Sequence, residues 1–180
     1  LSNEALLYTY TPPVVTEINL TNRFQNGMIF QQNKPWIVNG TGVIGETVTV
    51  ELINKENATV QTKTATVDAD SNWLVTMDAV VGSYDAYTVK VSSGNNTKTI
   101  ENVVFGEVWA AGGQSNMAYH FKPASNGDNV VSEADKIALQ AELAAYEKAG
   151  YLRFFMSNNG HQSGLVAEDV SGKWGNASDW

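Results

Sequence analysis

Thr47-Val48-Thr49-Val50-Glu51-Leu52 alternates polar and apolar side chains with a period of two, and that period limits what this chain can fold into more than any other feature. Successive side chains of a β-strand point to opposite faces, so Val48, Val50 and Leu52 are expected inward and Thr47, Thr49 and Glu51 on the other face. Tyr87, Val89 and Val91 repeat the pattern. A slip of one residue would turn either apolar set to water, which specifies the strand register. Across residues 14–103, short Val-, Ile-, Thr- and Tyr-rich runs recur between turn clusters, the pattern of an Ig-like β-sandwich. Asp68-Ala69-Asp70-Ser71-Asn72 and Ser92-Ser93-Gly94-Asn95-Asn96 supply the turn chemistry. Trp36 and Trp73 are expected as large core pieces, with sugar stacking by an exposed ring as the alternative role.

Beyond residue 103 the pattern changes. Residues 103–111 form a near-continuous apolar run, as expected of a parallel strand covered on both faces. Ser132 can cap a helix with Asp135 reaching back to it, the helix can end at Gly150, and Ile137, Ala141 and Ala144 would form its buried stripe. Residues 151–156 then read as a second buried strand. The order strand, helix, strand predicts one parallel βαβ unit, the first part of an α/β domain. The expected division is an extension over residues 1–13, a β-sandwich over 14–103 and an incomplete α/β domain over 104–180.

Gly113-Gln114-Ser115-Asn116-Met117 follows the apolar run of residues 103–111. A serine hydroxyl attacks a carbonyl well when its oxygen is exposed and backbone N–H groups face the developing oxyanion, and a tight turn after a buried strand supplies both. The pentapeptide alone is also ordinary turn composition. Its surroundings are more specific. Gly106-Glu107-Val108-Trp109 through Met117 resembles the GEVW…GQSNM signature of the sialate O-acetylesterase-like group of SGNH hydrolases. Met28-Ile29-Phe30-Gln31-Gln32-Asn33-Lys34-Pro35 resembles that family's Met-x-Leu-Gln-Arg-x-x-Pro opening. Gly45-Glu46-Thr47-Val48-Thr49-Val50 and Asp68-Ala69-Asp70-Ser71-Asn72-Trp73 are similar to its following strand and turn, and the pieces occur in family order.

The resemblance implies an SGNH hydrolase domain of flavodoxin-like α/β fold, with the β-sandwich as accessory domain, and a secreted carbohydrate esterase acting through a serine acyl-enzyme. By resemblance Ser115 is the nucleophile and its backbone N–H an oxyanion donor, Gly160 is a second candidate donor, and Gln114, Asn116 and His120 line the substrate pocket. The family's Asp and His come from an Asp-x-x-His block near the end of its hydrolase domain, and this spacing occurs nowhere in the 180 residues. His161 is the in-chain alternative as base. Ala118 stands where the family often has Glu, which bears on substrate contacts rather than on the nucleophile. The chain opens on Leu1 and ends on Trp180 without a helix stop, so a truncated piece, inactive alone, is expected; its open sheet edge and apolar face would be covered by the missing segment or by self-association.

Composition narrows the partners. The formal charge of −8 is spread over the chain with no Lys/Arg cluster, which argues against nucleic-acid and anionic-membrane partners. No apolar run approaches the roughly 20 residues of a membrane span. Cysteine is absent, so the fold is held without disulfides and no thiolate metal site exists. Asp68-Ala69-Asp70-Ser71-Asn72 mimics only the opening of a calcium loop and lacks its distal glutamate, so a plain Asx turn is expected, with no metal and no cofactor. The substrate class is then an acetylated glycan or sialic acid. The alternative function is a carbohydrate-binding or adhesive β-sandwich with a degenerate or incomplete hydrolase half.

Overall fold

A computed structural model describes residues 14–112, 132–157 and 171–175. Ten strands and one helix occur among them: β1 Asn19–Leu20, β2 Ile29–Gln31, β3 Trp36–Thr41, β4 Thr47–Ile53, β5 Thr59–Thr66, β6 Asn72–Met77, β7 Ser83–Ser93, β8 Asn96–Gly106, α1 Glu133–Lys148, β9 Phe154–Ser157 and β10 Gly172–Gly175. Strands β1, β3 and β6 form a three-stranded sheet, and a five-stranded sheet runs in the order β2, β8, β7, β4, β5. The protein is mostly β, and the inner faces of the two sheets share one core.

Period-two patterning builds that core. Val48, Val50 and Leu52 of β4 and Val89 and Val91 of β7 are all fully buried, with Val50 opposite Val91 and Leu52 opposite Val89 in the antiparallel pair. On the other face Glu51 lies opposite Lys90, and Lys90 Nζ meets Glu51 Oε2 at 2.9 Å. Trp36 and Trp73 are each 3% exposed. Their indole N–H groups donate to the carbonyls of Asp78 at 2.9 Å and Thr41 at 3.0 Å, so neither buries an unsatisfied donor. Phe30, Trp36 and Phe105 gather with ring centroids 4.5–5.7 Å apart, uniting β2, β3 and β8.

Two local features hold this geometry. Asp68 Oδ1 accepts from the backbone N–H groups of Asp70 at 2.9 Å and Asn72 at 2.8 Å, so this carboxylate closes the Asx turn before β6. Gly40 of β3 faces the backbone of Asn19 in β1, and a Cβ placed on it would lie 1.8 Å from the Asn19 carbonyl oxygen. Backbone cannot yield as a flexible side chain does, so Gly40→Ala is expected to destabilise the fold by about 1–3 kcal/mol. Chemical unfolding checks this; an unchanged midpoint would mean that β1 detaches without cost.

Beyond the two sheets the structure corrects the expected α/β start. The apolar strand ends at Gly106 rather than residue 111, and it is the second half of β8. Val103, Val104 and Phe105 are buried, whereas Trp109 is 86% exposed. β8 pairs antiparallel with β7 and, over Val104–Gly106, parallel with β2. Both of its hydrogen-bonding edges are therefore occupied, and β9 pairs antiparallel with β10 instead. Among the described residues no parallel strand-helix-strand unit forms.

The helix itself obeys its expected signals. Ser132 Oγ accepts from the Asp135 N–H at 3.2 Å and donates to Asp135 Oδ2 at 2.6 Å, the second bond differing from a standard capping box, in which the cap's backbone N–H is the donor. At the other end Gly150, with φ 74°, donates to Glu147 O, and Tyr151 N–H donates to Tyr146 O, a Schellman stop. The stripe expected to be buried is not: Ile137 is 58% exposed, and Ala141 and Ala144 are exposed too. The predicted strand over 151–156 appears as β9 but is not buried, since Phe154 and Met156 face water. In both cases the period of the sequence is right and the layer that would cover it is missing from the described residues.

Candidate active site

The segment that precedes Ser115 in sequence begins where two strands end together. Gln31 closes β2 and Gly106 closes β8, and the two residues are partners in the parallel pair. Gln32 N–H then donates to Gly106 O at 2.9 Å, extending the pairing one step. Glu107 follows, and its carboxylate accepts from Gln32 Nε2 at 2.7 Å and from Gln31 Nε2 at 3.1 Å. Gln31 returns a bond through its other amide atom, Oε1, which accepts from the Val108 N–H at 2.9 Å. Gln32 gains its place from Gly82: a Cβ there would stand 1.7 Å from Gln32 Oε1. The end of β2, given room by Gly82, thus holds the first two residues after β8.

The two amide donors stabilise the charged form of Glu107 and lower its pKa from the ordinary glutamate value, Gln32 contributing most and Gln31 next. A carboxylate with a depressed folded pKa contributes stability that is present above the unfolded value of about 4.3 and is lost as pH falls through the folded value. The lead-in is therefore expected to loosen only in acid. NMR titration of the Glu107 carboxyl should place it below ordinary glutamate, and Gln32→Ala should move it back up; identical titrations in the two proteins would rule out the contact.

A kink in β8 sets the direction from which this segment leaves the sheet. Between the pairs Tyr87–Val103 and Val89–Ile100 the register shifts by one residue, and Asn102 sits at φ 56°. Such a bulge bends its strand. Here it also exposes the Asn102 carbonyl and side chain, which accept from Arg153 Nη1 and, at 3.1 Å, from Arg153 Nη2. Arg153 Nη1 donates to Gly27 O at 3.0 Å and Arg153 Nε to Gly150 O at 3.2 Å. One side chain thereby joins the helix stop, the bulge and the turn before β2, and burial lowers its pKa from the ordinary arginine value. Trp174 of β10 makes a second joint, lying tilted against Phe155 with 5.4 Å between ring centroids, donating through Nε1 to Arg23 O at 3.0 Å and packing on the core.

Ser115, Gln114, Asn116, His120, Gly160 and His161 all lie outside the described residues. What the structure brings together is the lead-in to Ser115 and the anchors of the later segment. Gln31, Gln32, Gly82 and Arg153 were missed as candidates by sequence reasoning. Gln31 and Gln32 stand inside the quoted opening motif, so a signal existed for them; nothing in the sequence joins Gly82 or Arg153 to the site. Among the described residues no three of His, Cys, Asp and Glu cluster as metal ligands.

No family model matches the chain. A sialate O-acetylesterase from Rattus norvegicus is 33% identical over 97 residues, 51% of this chain and 18% of the relative. That from Mus musculus is 27% identical over 112 residues, 60% of this chain and 21% of the relative. Over about half of its length this chain is similar to sialate O-acetylesterases. It spans about a fifth of the length of these two proteins. A solved carbohydrate acetylesterase from Xanthomonas citri superposes with a TM-score of 0.69 at 24% identity, over 89% of this chain and 32% of that one. This likeness shows a shared fold, in keeping with the sheets and joints described above.

Proposed function

We propose that the chain carries the nucleophile segment of a carbohydrate O-acetylesterase of the SGNH type, which removes acetyl groups from sialic acid or another acetylated glycan. The observation that carries this reading is Gly113-Gln114-Ser115-Asn116-Met117 directly downstream of the Gly106-Glu107-Val108-Trp109 lead-in, in a chain related to sialate O-acetylesterases. Ser115 Oγ attacks the acetyl carbonyl while a base takes its proton. The Ser115 and Gly160 N–H groups hold the oxyanion, the sugar hydroxyl leaves with a proton, and water releases acetate from the acetyl-serine. Gln114, Asn116 and His120 contact the substrate. The base and its orienting acid come from an Asp-x-x-His block, a spacing absent from these 180 residues, so the chain by itself is inactive; His161 is the one in-chain candidate to replace that base.

In this reading the two sheets form an Ig-like β-sandwich that takes in Val104–Gly106 of β8, so the boundary expected at residue 103 moves to Gly106, and the residues after it belong to the hydrolase part. The protein is secreted. Among the described residues no helix is long and apolar enough to cross a membrane. The exposed stripe of α1 and the exposed Trp109 receive either a further segment or a second copy. The carbohydrate-binding alternative loses the support of Trp36 and Trp73, which lie in the core.

The deciding experiment is release of acetate from O-acetylated sialic acid, run beside aryl acetate hydrolysis, for this chain alone and for the chain joined to a segment that supplies Asp and His. Turnover in the joined form only is the expected result. Turnover in neither form would refute the esterase reading, and turnover by the chain alone would move the base to His161.

A further inference from the structure

We propose that the cleft between the bulged stretch of β7 and β8 and the end of α1 is a glycan-binding site, in which the ring of Tyr84 stacks on one pyranose unit while the polar groups around it engage the sugar hydroxyls. The site goes beyond the esterase reading and does not depend on it.

The β7–β8 ladder is broken twice at this place, and each break delivers a lining residue. Between the pairs Ser83–Phe105 and Tyr87–Val103, the β7 residues Tyr84, Asp85 and Ala86 stand against Val104 alone. Between Tyr87–Val103 and Val89–Ile100 it is β8 that carries the extra residue, with Asn102 at φ 56°. Bulges re-aim side chains and are over-represented beside functional sites. The first bulge is fastened next to Tyr84: Asp85 N–H donates to Ser83 Oγ at 3.0 Å, and the Asp85 carboxylate meets Lys55 Nζ at 2.9 Å. Tyr84 is thereby presented outward. It is 74% exposed although Tyr151 lies against it with 4.0 Å between ring centroids, so one side of the ring is backed and the rest stays open.

The cleft has a volume of about 420 Å³, and Tyr84 and Trp174 share its lining with Asn26, Asn102, Glu147 and Lys148. Sites for small ligands fall at roughly 300–1,000 Å³ and combine aromatic walls with a few polar groups. The polar groups select the ligand. Asn26 Oδ1 accepts from the Glu101 N–H at 2.8 Å and Asn102 Oδ1 from Arg153 Nη2 at 3.1 Å, which engages both carbonyl ends. Among the described residues the two Nδ2 groups have no partner. These amides and the Lys148 ammonium donate, and Glu147 accepts. A sugar hydroxyl does both. A phosphate or sulfate would face the Glu147 carboxylate and the negative end of the α1 dipole. A purely apolar ligand would leave the polar groups buried and unpaired. The face of a tyrosine ring is the negative side of its quadrupole and suits the C–H face of a pyranose.

The test uses the 180-residue chain, with binding followed by NMR shifts of its backbone amides. The probes are xylohexaose, cellohexaose and mannohexaose as neutral glycans and sialyllactose as a sialoglycan. At least one should shift the amides of Tyr84, Asn102 and Glu147 saturably, and which one does so tells which glycan supplies the pyranose. Tyr84→Ala should weaken that binding by about 10-fold, whereas Tyr84→Phe, which keeps the ring, should stay within about twofold. Lys148→Met should weaken it by about threefold. Unfolding midpoints should remain near that of wild type, since both side chains are exposed. If Tyr84→Ala lowers the midpoint, Lys148→Met decides, and unchanged binding in that variant would overturn the site. So would the absence of any shift with all the probes at millimolar concentration, or binding that a folded Tyr84→Ala leaves intact. Inorganic phosphate binding at these amides more tightly than every sugar would overturn it as well.

Discussion

Ser115→Ala is expected to lower kcat for ester hydrolysis by on the order of 10⁶-fold in whatever form of the protein turns over, since removing a serine nucleophile leaves only binding and oxyanion contacts to act on the substrate. At about 1.4 kcal/mol per tenfold, this amounts to roughly 8 kcal/mol of transition-state stabilisation. No other single change in the chain should cost as much. Alanine lacks the oxygen that bonds to the acetyl carbon, so the acyl-enzyme cannot form. KM should change far less, because on the proposed reading the substrate contacts of Gln114 and Asn116 are left in place. Two measurements check the expectation: steady-state hydrolysis of an aryl acetate, and mass analysis of the quenched wild-type enzyme for an acetyl group on the peptide containing Ser115. A variant with more than about one per cent of wild-type kcat would mean that another group is the nucleophile, and the search would move to the hydroxyls near the Glu107 lead-in.

Trp36→Ala should be the most damaging change to the fold. The indole is buried, packs at a tilt on Phe30 with 4.5 Å between centroids and edge-on to Phe105 with 5.4 Å, and donates to Asp78 O at 2.9 Å. Truncation opens a cavity where three strands of two sheets meet, and buried Trp→Ala changes cost about 3–5 kcal/mol. Against a domain stability of about 5–15 kcal/mol, this is a third or more of the total in many cases. For a β domain of this size each kcal/mol moves Tm by about 4–8 °C, so a fall of at least about 12 °C is expected by calorimetry. Trp36→Phe separates the causes. It keeps most of the ring volume and leaves the Asp78 carbonyl without its donor, so it should cost about 1–3 kcal/mol. Equal losses in both variants would show that the hydrogen bond, rather than the packing, carries the effect.

The catalytic and structural expectations meet at Phe105. It packs beside Trp36 in the core, and Gly106 and Glu107 follow it directly. A disturbed core at this corner would therefore reach the nucleophile lead-in within a few residues.

Much of the β portion was legible from sequence because its information is local. The alternation at Thr47-Val48-Thr49-Val50-Glu51-Leu52 alone specifies which side chains turn inward, since a strand offers two faces and water disfavours one of them for valine and leucine. Asp68 announces its turn by a side chain that can reach only its own neighbouring N–H groups, and Ser132 and Gly150 mark the helix ends for the same reason. Gln31, Gln32 and Glu107 likewise stood inside motifs visible in the sequence.

Pairing is different, because it depends on which strand edges remain free once the chain has folded. The apolar run at residues 103–111 is equally compatible with a parallel strand of an α/β sheet and with the end of a sandwich strand. Only the tertiary structure shows β7 and β2 on its two sides, which excludes β9 and sends it to β10. The same holds for Gln31, Gln32, Gly82 and Glu107, distant in sequence and joined by the packing of β2 against β8. The sequence by itself determined the period, the turns and the helix ends of this protein, all of which act within a few residues. Tertiary structure decided which edges pair and what grips the segment leading to Ser115, because those choices are competitions between distant stretches for the same hydrogen-bonding groups.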